Sequence, residues 1–391
     1  MNLVLFICCC IIFYTYIGYG LLLYMLVLLK GKKKPLPQSG DWPAVTLLIA
    51  AHNEAAWMEQ KLRNSLALEY PPEKLSFIVV TDGSTDRTPE LVARYPQFGL
   101  LHQPERQGKA AAINRGMQQV SAPLVVFSDA NTLLNPPALQ QMIRHFENSS
   151  VGAVAGEKRV QGNLHKNAAA TESRYWRYES WLKTLESEFY SVMGAAGELF
   201  AMRTHLFQPL PEDTLLDDLT SSLRIAMKGY HIRYEPNAVA VELPSAGTAS
   251  ELKRKLRMAA GGAQTLVRFK ALLLFRDPLL SFEYISHRVL RWAVAPYLLL
   301  LVFFLALFAV VSGGASVFVQ VLLLLQLCWY GLACAGFLLD RQKRAAGLLF
   351  IPYYFCVMNY AMIGGMFRYV LGKQNVLWER PDRTSSAEST V

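Results

Sequence analysis

Residues 123–131 read Pro-Leu-Val-Val-Phe-Ser-Asp-Ala-Asn. This short apolar run, with its paired valines, predicts a buried strand of a parallel sheet. The run delivers a carboxylate, Asp129, and a carboxamide, Asn131, to the carboxyl end of the strand, where parallel sheets bind their ligands. Both groups supply hard oxygen atoms that suit a divalent cation and, with it, a nucleotide diphosphate. The stretch therefore makes the chain a candidate sugar-nucleotide enzyme.

Two earlier apolar runs are each followed by a polar turn and a helical pattern. The runs cover residues 45–51 and 77–81, the turns cover 52–54 and 82–86, and the helical patterns reach residues 66 and 95. Strand followed by helix, twice over, predicts an α/β fold with a parallel, doubly wound sheet. The strand ends should then converge on one crevice. For Asp82 alone, a turn or a helix cap is the competing interpretation, because Asp-Gly-Ser-Thr-Asp suits both.

An apolar stretch at residues 1–29 is long enough to cross a hydrocarbon core, which takes about 20 helical residues. It lacks the leading basic residues and the small-residue cleavage site of a secretory signal, so we expect it to stay as an anchor. Lysines follow it at position 30 and at positions 32–34. The positive-inside rule then predicts that the chain after the anchor is cytoplasmic.

The composition becomes apolar again past Arg291. We predict spans at 291–311 and 316–339, and the basic cluster at 341–344 fits an inside loop. A third apolar region, 346–371, contains a proline and a Gly-Gly pair. It is therefore either a full span or a broken, re-entrant segment.

Composition divides the chain into six segments. They are a transmembrane anchor (1–29), a basic juxtamembrane linker (30–44), a cytoplasmic α/β domain (45–262), an amphipathic interfacial segment (263–290), a C-terminal transmembrane region of two or three spans (291–371) and a polar tail (372–391). The net charge of +9 favours contact with anionic membrane lipids, and nothing resembles a nucleic-acid-binding module. All six cysteines fall in the apolar spans, which agrees with a reducing compartment for the central domain.

Four motifs, taken in order, resemble the signature of a family 2 glycosyltransferase. They are Ala51-His52-Asn53-Glu54, Asp82-Gly83-Ser84-Thr85-Asp86, Gly108-Lys109-Ala110-Ala111-Ala112-Ile113-Asn114 and Ser128-Asp129-Ala130-Asn131. The resemblance runs from about residue 45 to 262. It implies a nucleotide-diphospho-sugar transferase fold (GT-A, Rossmann-like) in a cytoplasmic domain flanked by transmembrane helices, with the bacterial inner membrane as the expected location.

The resemblance also implies roles for single residues. Glu54 and Asp82 would hold the uridine, Lys109 would lie by the nucleotide, and Asp129 would contact metal and diphosphate. Asn131 stands where the family usually has a second carboxylate, and with Asp129 it would bind Mg²⁺ or Mn²⁺. The complete predicted nucleotide-sugar-binding set is Ala51, Asn53, Glu54, Asp82, Lys109, Asp129 and Arg257.

A pair of acids, Asp217 and Asp218, precedes a helical pattern that reaches Lys228, with Gly229 as its predicted stop. An Asp in this place ordinarily caps a helix. The resemblance instead makes Asp218 the base that takes the proton from the acceptor hydroxyl, with Asp217 as a cap or orienting partner. A carboxylate of ordinary pKa near 4 is a weak base, so it must work through positioning and partial desolvation.

A glycine-containing loop, residues 194–198, would face the acceptor in this family; a plain turn is the alternative. Its predicted acceptor-side residues are Gly194, Ala195 and Gly197, together with Asp217. The implied reaction is a single in-line displacement that inverts the configuration at the sugar.

One motif departs from the pattern of the polymer-making members. Cellulose-like and hyaluronan-like synthases carry Gln-x-x-Arg-Trp where this chain has Arg254 in place of the Gln, Arg257 as the Arg and Met258 in place of the Trp. Without that aromatic platform, we favour transfer of one sugar to a lipid, lipid-linked or envelope-glycan acceptor. The alternatives are a processive polysaccharide synthase and a non-catalytic membrane scaffold with a degenerate transferase domain.

Overall fold

The computed structural model describes residues 1–31, 40–160, 167–195, 197–242, 248–342, 347–375 and 377. The lysines at 32–34, Ala196 and most of the predicted polar tail lie outside these ranges. The chain divides into two units. The sheet unit consists mainly of residues 30–161 and 176–244, and the membrane unit consists mainly of residues 1–29 and 245–374.

In the described part of the sheet unit, eight strands form one mixed sheet. They are β1 (Val45–Ala51), β2 (Leu75–Asp82), β3 (Phe98–Gln103), β4 (Leu124–Asp129), β5 (Thr132–Leu134), β6 (Val151–Val160), β7 (Leu199–Arg203) and β8 (His231–Glu242). Their order across the sheet is β3-β2-β1-β4-β7-β6-β8-β5. The first four are parallel, as predicted.

The prediction of a parallel sheet fails at two strands, β7 and β5. Strand β7 runs antiparallel to both β4 and β6, and β5 runs antiparallel to β8, whereas β6 and β8 pair in parallel. A strand buried on both faces has the same apolar composition in either direction, so the sequence of 199–203 does not reveal its polarity.

In the sheet unit the α-helices lie between strands along the chain, and the helices at both ends of the chain belong to the membrane unit. They are α1 (Asn2–Phe13), α2 (Tyr19–Lys30), α3 (Ala55–Leu66), α4 (Thr88–Ala93), α5 (Lys109–Met117), α6 (Ala138–Ile143), α7 (Asn167–Phe189), α8 (Asp217–Met227), α9 (Thr248–Arg268), α10 (Pro278–Tyr284), α11 (Ala295–Val311), α12 (Val317–Arg341) and α13 (Phe350–Val370). Helix α8 ends just before Gly229, whose φ of 87° suits the predicted stop.

The main hydrophobic core lies between the sheet and helices α3 and α6. Strand residues such as Leu47 and Val126 are fully buried there against Met58, Leu62 and Met142 of the two helices. The register pairs Ala51 with Thr81 and Ala50 with Asp129 across three adjacent parallel strands. The residues that follow β1, β2 and β4 therefore share one edge of the sheet.

Among the described residues, four helical segments are long and apolar enough to cross a membrane. They are Asn2–Lys30, Pro278–Val311, Val317–Arg341 and Gly347–Val370. The second begins at Pro278 rather than at the predicted Arg291. Its 34 residues span about 51 Å, well beyond a hydrocarbon core of about 30 Å, so its beginning extends into the segment predicted to be interfacial.

The last apolar region forms an unbroken helix, α13, so the structure favours the full span over the re-entrant alternative. Gly365 of α13 lies directly against Ala259 of α9, and a side chain at that position would collide with it. Small residues at such contacts let membrane helices approach closely. Because α9 packs along α13, it groups with the membrane unit, and a domain that extends to residue 262 stays a prediction.

Candidate active site

Two adjacent residues, Gly108 and Lys109, join the acids at the ends of β2 and β4. The Gly108 amide donates to Oδ2 of Asp82 at 2.7 Å, and Nζ of Lys109 donates to Oδ1 of Asp129 at 2.9 Å. Gly108 has a φ of 98°, a left-handed value that favours glycine. The strand-end acids therefore lie together at the start of α5, as the sheet topology predicts.

Lys109 also connects these acids to α8. Its Nζ lies 3.4 Å from Oδ2 of Asp217, and the side chains of Lys109, Asp129 and Asp217 are 24%, 32% and 19% exposed. Burial alone would lower the pKa of Lys109, but Asp129 and Asp217 outweigh this effect and raise it. Lys109 is thus an ammonium group placed among carboxylates that come from two separate parts of the chain, the end of β4 and the start of α8.

Asp218 lies in the first turn of α8. The residue that caps this helix is Leu216, so the alternative in which Asp217 or Asp218 is the cap is wrong. Burial, reinforced by the negative charge of Asp217, raises the pKa of Asp218 to about 7. A carboxylate with this pKa is a much better base near neutral pH than an ordinary aspartate.

The loop before β7 lies beside the side chain of Asp218. A side chain added at Gly197 would have its Cβ 3.4 Å from Oδ2 of Asp218 and 3.6 Å from Nζ of Lys109. Gly197 and Asp218 line one cavity together with Asp217, Ile113 and Phe127. The glycine leaves room beside the carboxylate for a small polar group.

The same loop is tied to α8 through its backbone. The Ala195 amide donates to Oγ of Ser222 at 3.2 Å, and that hydroxyl donates to the carbonyl of Asp218 at 2.7 Å. Gly194 has a φ of 113°. The residues predicted to face the acceptor therefore lie around the predicted base, and their role toward an acceptor stays a prediction.

The loops after β1 and β2 are held together by Asn53. Its Oδ1 accepts from the Thr85 amide at 2.7 Å and from the Asp86 amide at 3.3 Å, and its φ is 53°. Ala51 is buried at the end of β1, and the Glu54 amide donates to Oγ1 of Thr88 at 2.9 Å. This part of the predicted nucleotide site is a tightly hydrogen-bonded pair of loops.

Asp82 is fully buried and accepts hydrogen bonds from other groups of the protein. Its carboxylate accepts from the amides of Gln107 and Gly108 and from Nη2 of Arg115, so it holds the loop that presents Lys109. The cap-like role belongs instead to Asp86, whose Oδ1 accepts from the Thr88 amide at 2.9 Å. Direct contact of Asp82 with uridine stays a prediction.

The turn after β4 fits a divalent cation. Oδ1 of Asn131 is buried and has no hydrogen-bond partner among the described residues, two positions after the partly exposed carboxylate of Asp129. Carboxylate and carboxamide oxygens suit Mg²⁺ or Mn²⁺, which usually take their remaining ligands from substrate phosphates and water. No group of three or more His, Cys, Asp or Glu side chains that could hold a metal ion occurs among the described residues.

Sequence reasoning missed two buried lysines. Lys61 is fully buried in α3 and donates to Oγ of Ser128 and to the carbonyl of Thr132. Lys158 pairs with Glu198, the residue that follows Gly197. The signal that could have indicated the burial of Lys61 was its helical spacing, three residues after buried Met58 and four before buried Ser65.

Arg257 lies partly exposed on α9, in the membrane unit. Its predicted contact with the diphosphate stays a prediction.

Comparison with known proteins gives a consistent picture. Residues 46–210 match the model of Glycosyl transferase family 2. Over 282 residues, 68% of this chain and 67% of the relative, the chain is 30% identical to the poly-beta-1,6-N-acetyl-D-glucosamine synthase of Staphylococcus aureus. The synthase of Staphylococcus epidermidis is 26% identical over 369 residues, 87% of each chain.

A solved structure resembles nearly the whole chain. It is the mannosyltransferase PcManGT from Pyrobaculum calidifontis in complex with GDP-Man and Mn²⁺. The match covers 95% of this chain and 99% of that protein, with 25% sequence identity and a TM-score of 0.68.

Proposed function

This chain belongs to glycosyl transferase family 2, and we propose that it moves one sugar from a UDP-sugar, with inversion, to a lipid, lipid-linked or envelope-glycan acceptor. The observation that carries the proposal is the position of Lys109, between Asp129 on the donor strand and Asp217 beside the base Asp218. The side chain of Lys109 thus connects the group that we propose for the donor with the groups that we propose for the acceptor.

In the proposed reaction, Asp218 accepts the proton of the acceptor hydroxyl as that oxygen attacks C1 of the sugar. The bond from C1 to the diphosphate breaks on the opposite face, so an α-linked donor yields a β product. Lys109 lies where the negative charge of the leaving diphosphate develops and stabilises it. The cavity beside Gly197 would receive the acceptor oxygen.

Asp129 and Asn131 would hold a Mg²⁺ or Mn²⁺ ion with the donor diphosphate. When bound, the ion supplies Lewis-acid stabilisation of the leaving group. The partnerless Oδ1 of Asn131 supports this assignment, and the Mn²⁺ in the structure of PcManGT supports it for the family fold.

Processive synthesis is the second candidate, because the staphylococcal relatives are named as synthases of a polymer. Met258 in place of an aromatic residue favours single transfer. The membrane scaffold is the least favoured, since the chain retains Lys109, Asp129 and Asp218 in one site.

The function is tested with purified protein in detergent, supplied with labelled UDP- and GDP-sugars and either Mn²⁺ or Mg²⁺. We expect turnover of a UDP-sugar that stops in EDTA, with label in a short, lipid-extractable product. A product of high molecular weight would favour the synthase. Protein that turns over none of the donors with any acceptor fraction would favour the scaffold.

We also propose that the protein lies in a bacterial inner membrane with the sheet unit in the cytoplasm. The lysines after the first apolar helix and the bacterial relatives support this orientation. In a variant without the six native cysteines, Gly314→Cys, in the turn between α11 and α12, should react with an impermeant maleimide in intact spheroplasts. The matched Glu73→Cys, exposed in the sheet unit, should react only after lysis; the reverse pattern would contradict the orientation.

The activity should depend on pH through Asp218. Its raised pKa of about 7 means that the base is protonated below neutrality, so kcat/KM should fall about tenfold per pH unit on the acid side. Asp217→Asn removes a nearby negative charge that contributes to this raised pKa. The acid limb of the profile should therefore move to lower pH, whereas the exposed control Glu212→Gln should leave it in place. An acid limb that Asp217→Asn does not move would contradict the assignment.

A further inference from the structure

A buried lysine lies beneath the turn that carries Asp129 and Asn131. Nζ of Lys61 donates to Oγ of Ser128 at 2.7 Å and to the carbonyl of Thr132 at 2.9 Å. These two partners flank the residues proposed to hold the cation and the diphosphate. Lys61 itself is fully buried, so it touches the turn from below and is closed off from solvent.

The contacts continue from Lys61 to both halves of the site. Oγ1 of Thr132 donates to the carbonyl of Asp129 at 2.9 Å, which fixes the backbone of that carboxylate. Oγ of Ser128 donates to the carbonyl of Glu198 at 3.2 Å, and Glu198 follows Gly197 in the loop over Asp218. One amino group therefore anchors the end of the donor strand, the following turn and the acceptor-side loop.

A lysine at this position is costly for the fold. Burial lowers the pKa of Lys61 to about 7, although Asp129 opposes the change. A methionine of similar length would fill the same space without desolvating an amine. The hydrogen bonds that only the lysine can make must then serve a purpose other than filling the core.

Attachment of α3 to the sheet does not require Lys61, because Asn64 already provides it. Asn64 lies one turn further along α3, where its Nδ2 donates to the Leu134 carbonyl at 2.8 Å and its Oδ1 accepts from the Leu134 amide at 2.8 Å. Asn64 holds the far end of β5, whereas Lys61 holds the near end beside Asp129.

We propose that Lys61 is a positioning residue that fixes the backbone around Asp129 and Asn131, so that their oxygens can bind a divalent cation together with a nucleoside diphosphate. This inference rests on the proposed function. It assigns Lys61 no contact with the substrate: the residue acts through Ser128 and Thr132.

The test measures binding of UDP by calorimetry in Mn²⁺ and in EDTA, using the full-length protein in detergent. Lys61→Met should weaken UDP binding in Mn²⁺ by about 10- to 100-fold, the range seen when groups that orient metal ligands are removed. Binding in EDTA should change less than about twofold. Ser128→Ala, which removes only a hydroxyl, should shift Mn²⁺-dependent binding in the same direction even if Lys61→Met folds poorly.

Asn64→Ala is the matched control. It should lower the melting temperature through the loss of two hydrogen bonds, yet keep Mn²⁺-dependent UDP affinity within about twofold of wild type. Equal Mn²⁺-dependent affinity in wild type, Lys61→Met and Ser128→Ala would overturn the inference and leave the proposed function standing. Wild-type protein that binds neither UDP nor GDP with Mn²⁺ would overturn both.

Discussion

Replacing Asp218 with asparagine should lower kcat at least about 100-fold while leaving UDP binding in Mn²⁺ nearly unchanged. The amide has the shape of the carboxylate but cannot accept the proton of the acceptor hydroxyl. Because Asp218 lies beside Gly197 and in the first turn of α8, the substitution alters the side of the site that is proposed to receive the acceptor. Single-turnover kinetics with a saturating labelled donor measure the effect on the chemical step directly.

Glu212→Gln is the control for Asp218→Asn, since it makes the same chemical change at an exposed position shortly before α8. Its rate should equal that of wild type. If Asp218→Asn retains transfer within about tenfold of wild type, Asp218 is not the base.

Asp129→Ala should remove most of the metal-dependent affinity for the donor. The variant loses the carboxylate at the end of β4, whereas Lys109 keeps its ion pair with Asp217 of α8. UDP affinity in Mn²⁺ should fall to the value measured in EDTA, with a loss of transfer of at least about 100-fold. Calorimetry at several Mn²⁺ concentrations shows whether the ion and the nucleotide still bind together.

Glu90→Gln, at an exposed position in α4, controls for loss of negative charge in the sheet unit and should leave affinity and rate unchanged. Unchanged Mn²⁺-dependent affinity in Asp129→Ala would mean that the end of β4 is an ordinary turn.

The donor half of the fold was predictable because its signals are local. Residues 45–51 form a strand with the predicted bounds. The run at 77–81 lies within β2, and the stretch 123–131 contains β4. Each is a continuous apolar run that ends in polar residues, and parallel strands bring such ends to one edge. The gathering of Asp82 and Asp129 follows from that rule.

The other half depends on contacts between distant segments. Strands β6 and β8 pair along most of their lengths, although about 70 residues of sequence separate them, and β7 inserts between β4 and β6. No local sequence pattern specifies the order or the direction of these strands. The same reason applies to α9, whose amphipathic sequence fits an interface equally well but packs along α13.

Single residues were harder to predict where their partners are remote. In the sequence Asp217 precedes a helical pattern and therefore suits a cap. In the structure it forms an ion pair with Lys109, which lies more than 100 positions earlier in the chain. The sequence analysis did not single out Lys61, because its partners Ser128 and Thr132 lie in another strand and turn. The motif resemblance identified Asp218, whereas its raised pKa follows only from the burial and the neighbouring charge that the fold creates.

Strand β4 has unlike neighbours on its two sides. It pairs in parallel with β1, where Ala50 faces Asp129, and in antiparallel fashion with β7, where Leu199 faces Ser128. The ladder of the sheet thus fixes the distance between the end of β4, which carries Asp129, and the start of β7, which follows Gly197. If these two places serve donor and acceptor as proposed, the loops on either flank can change in sequence, and with them the choice of sugar or acceptor, while that distance stays the same.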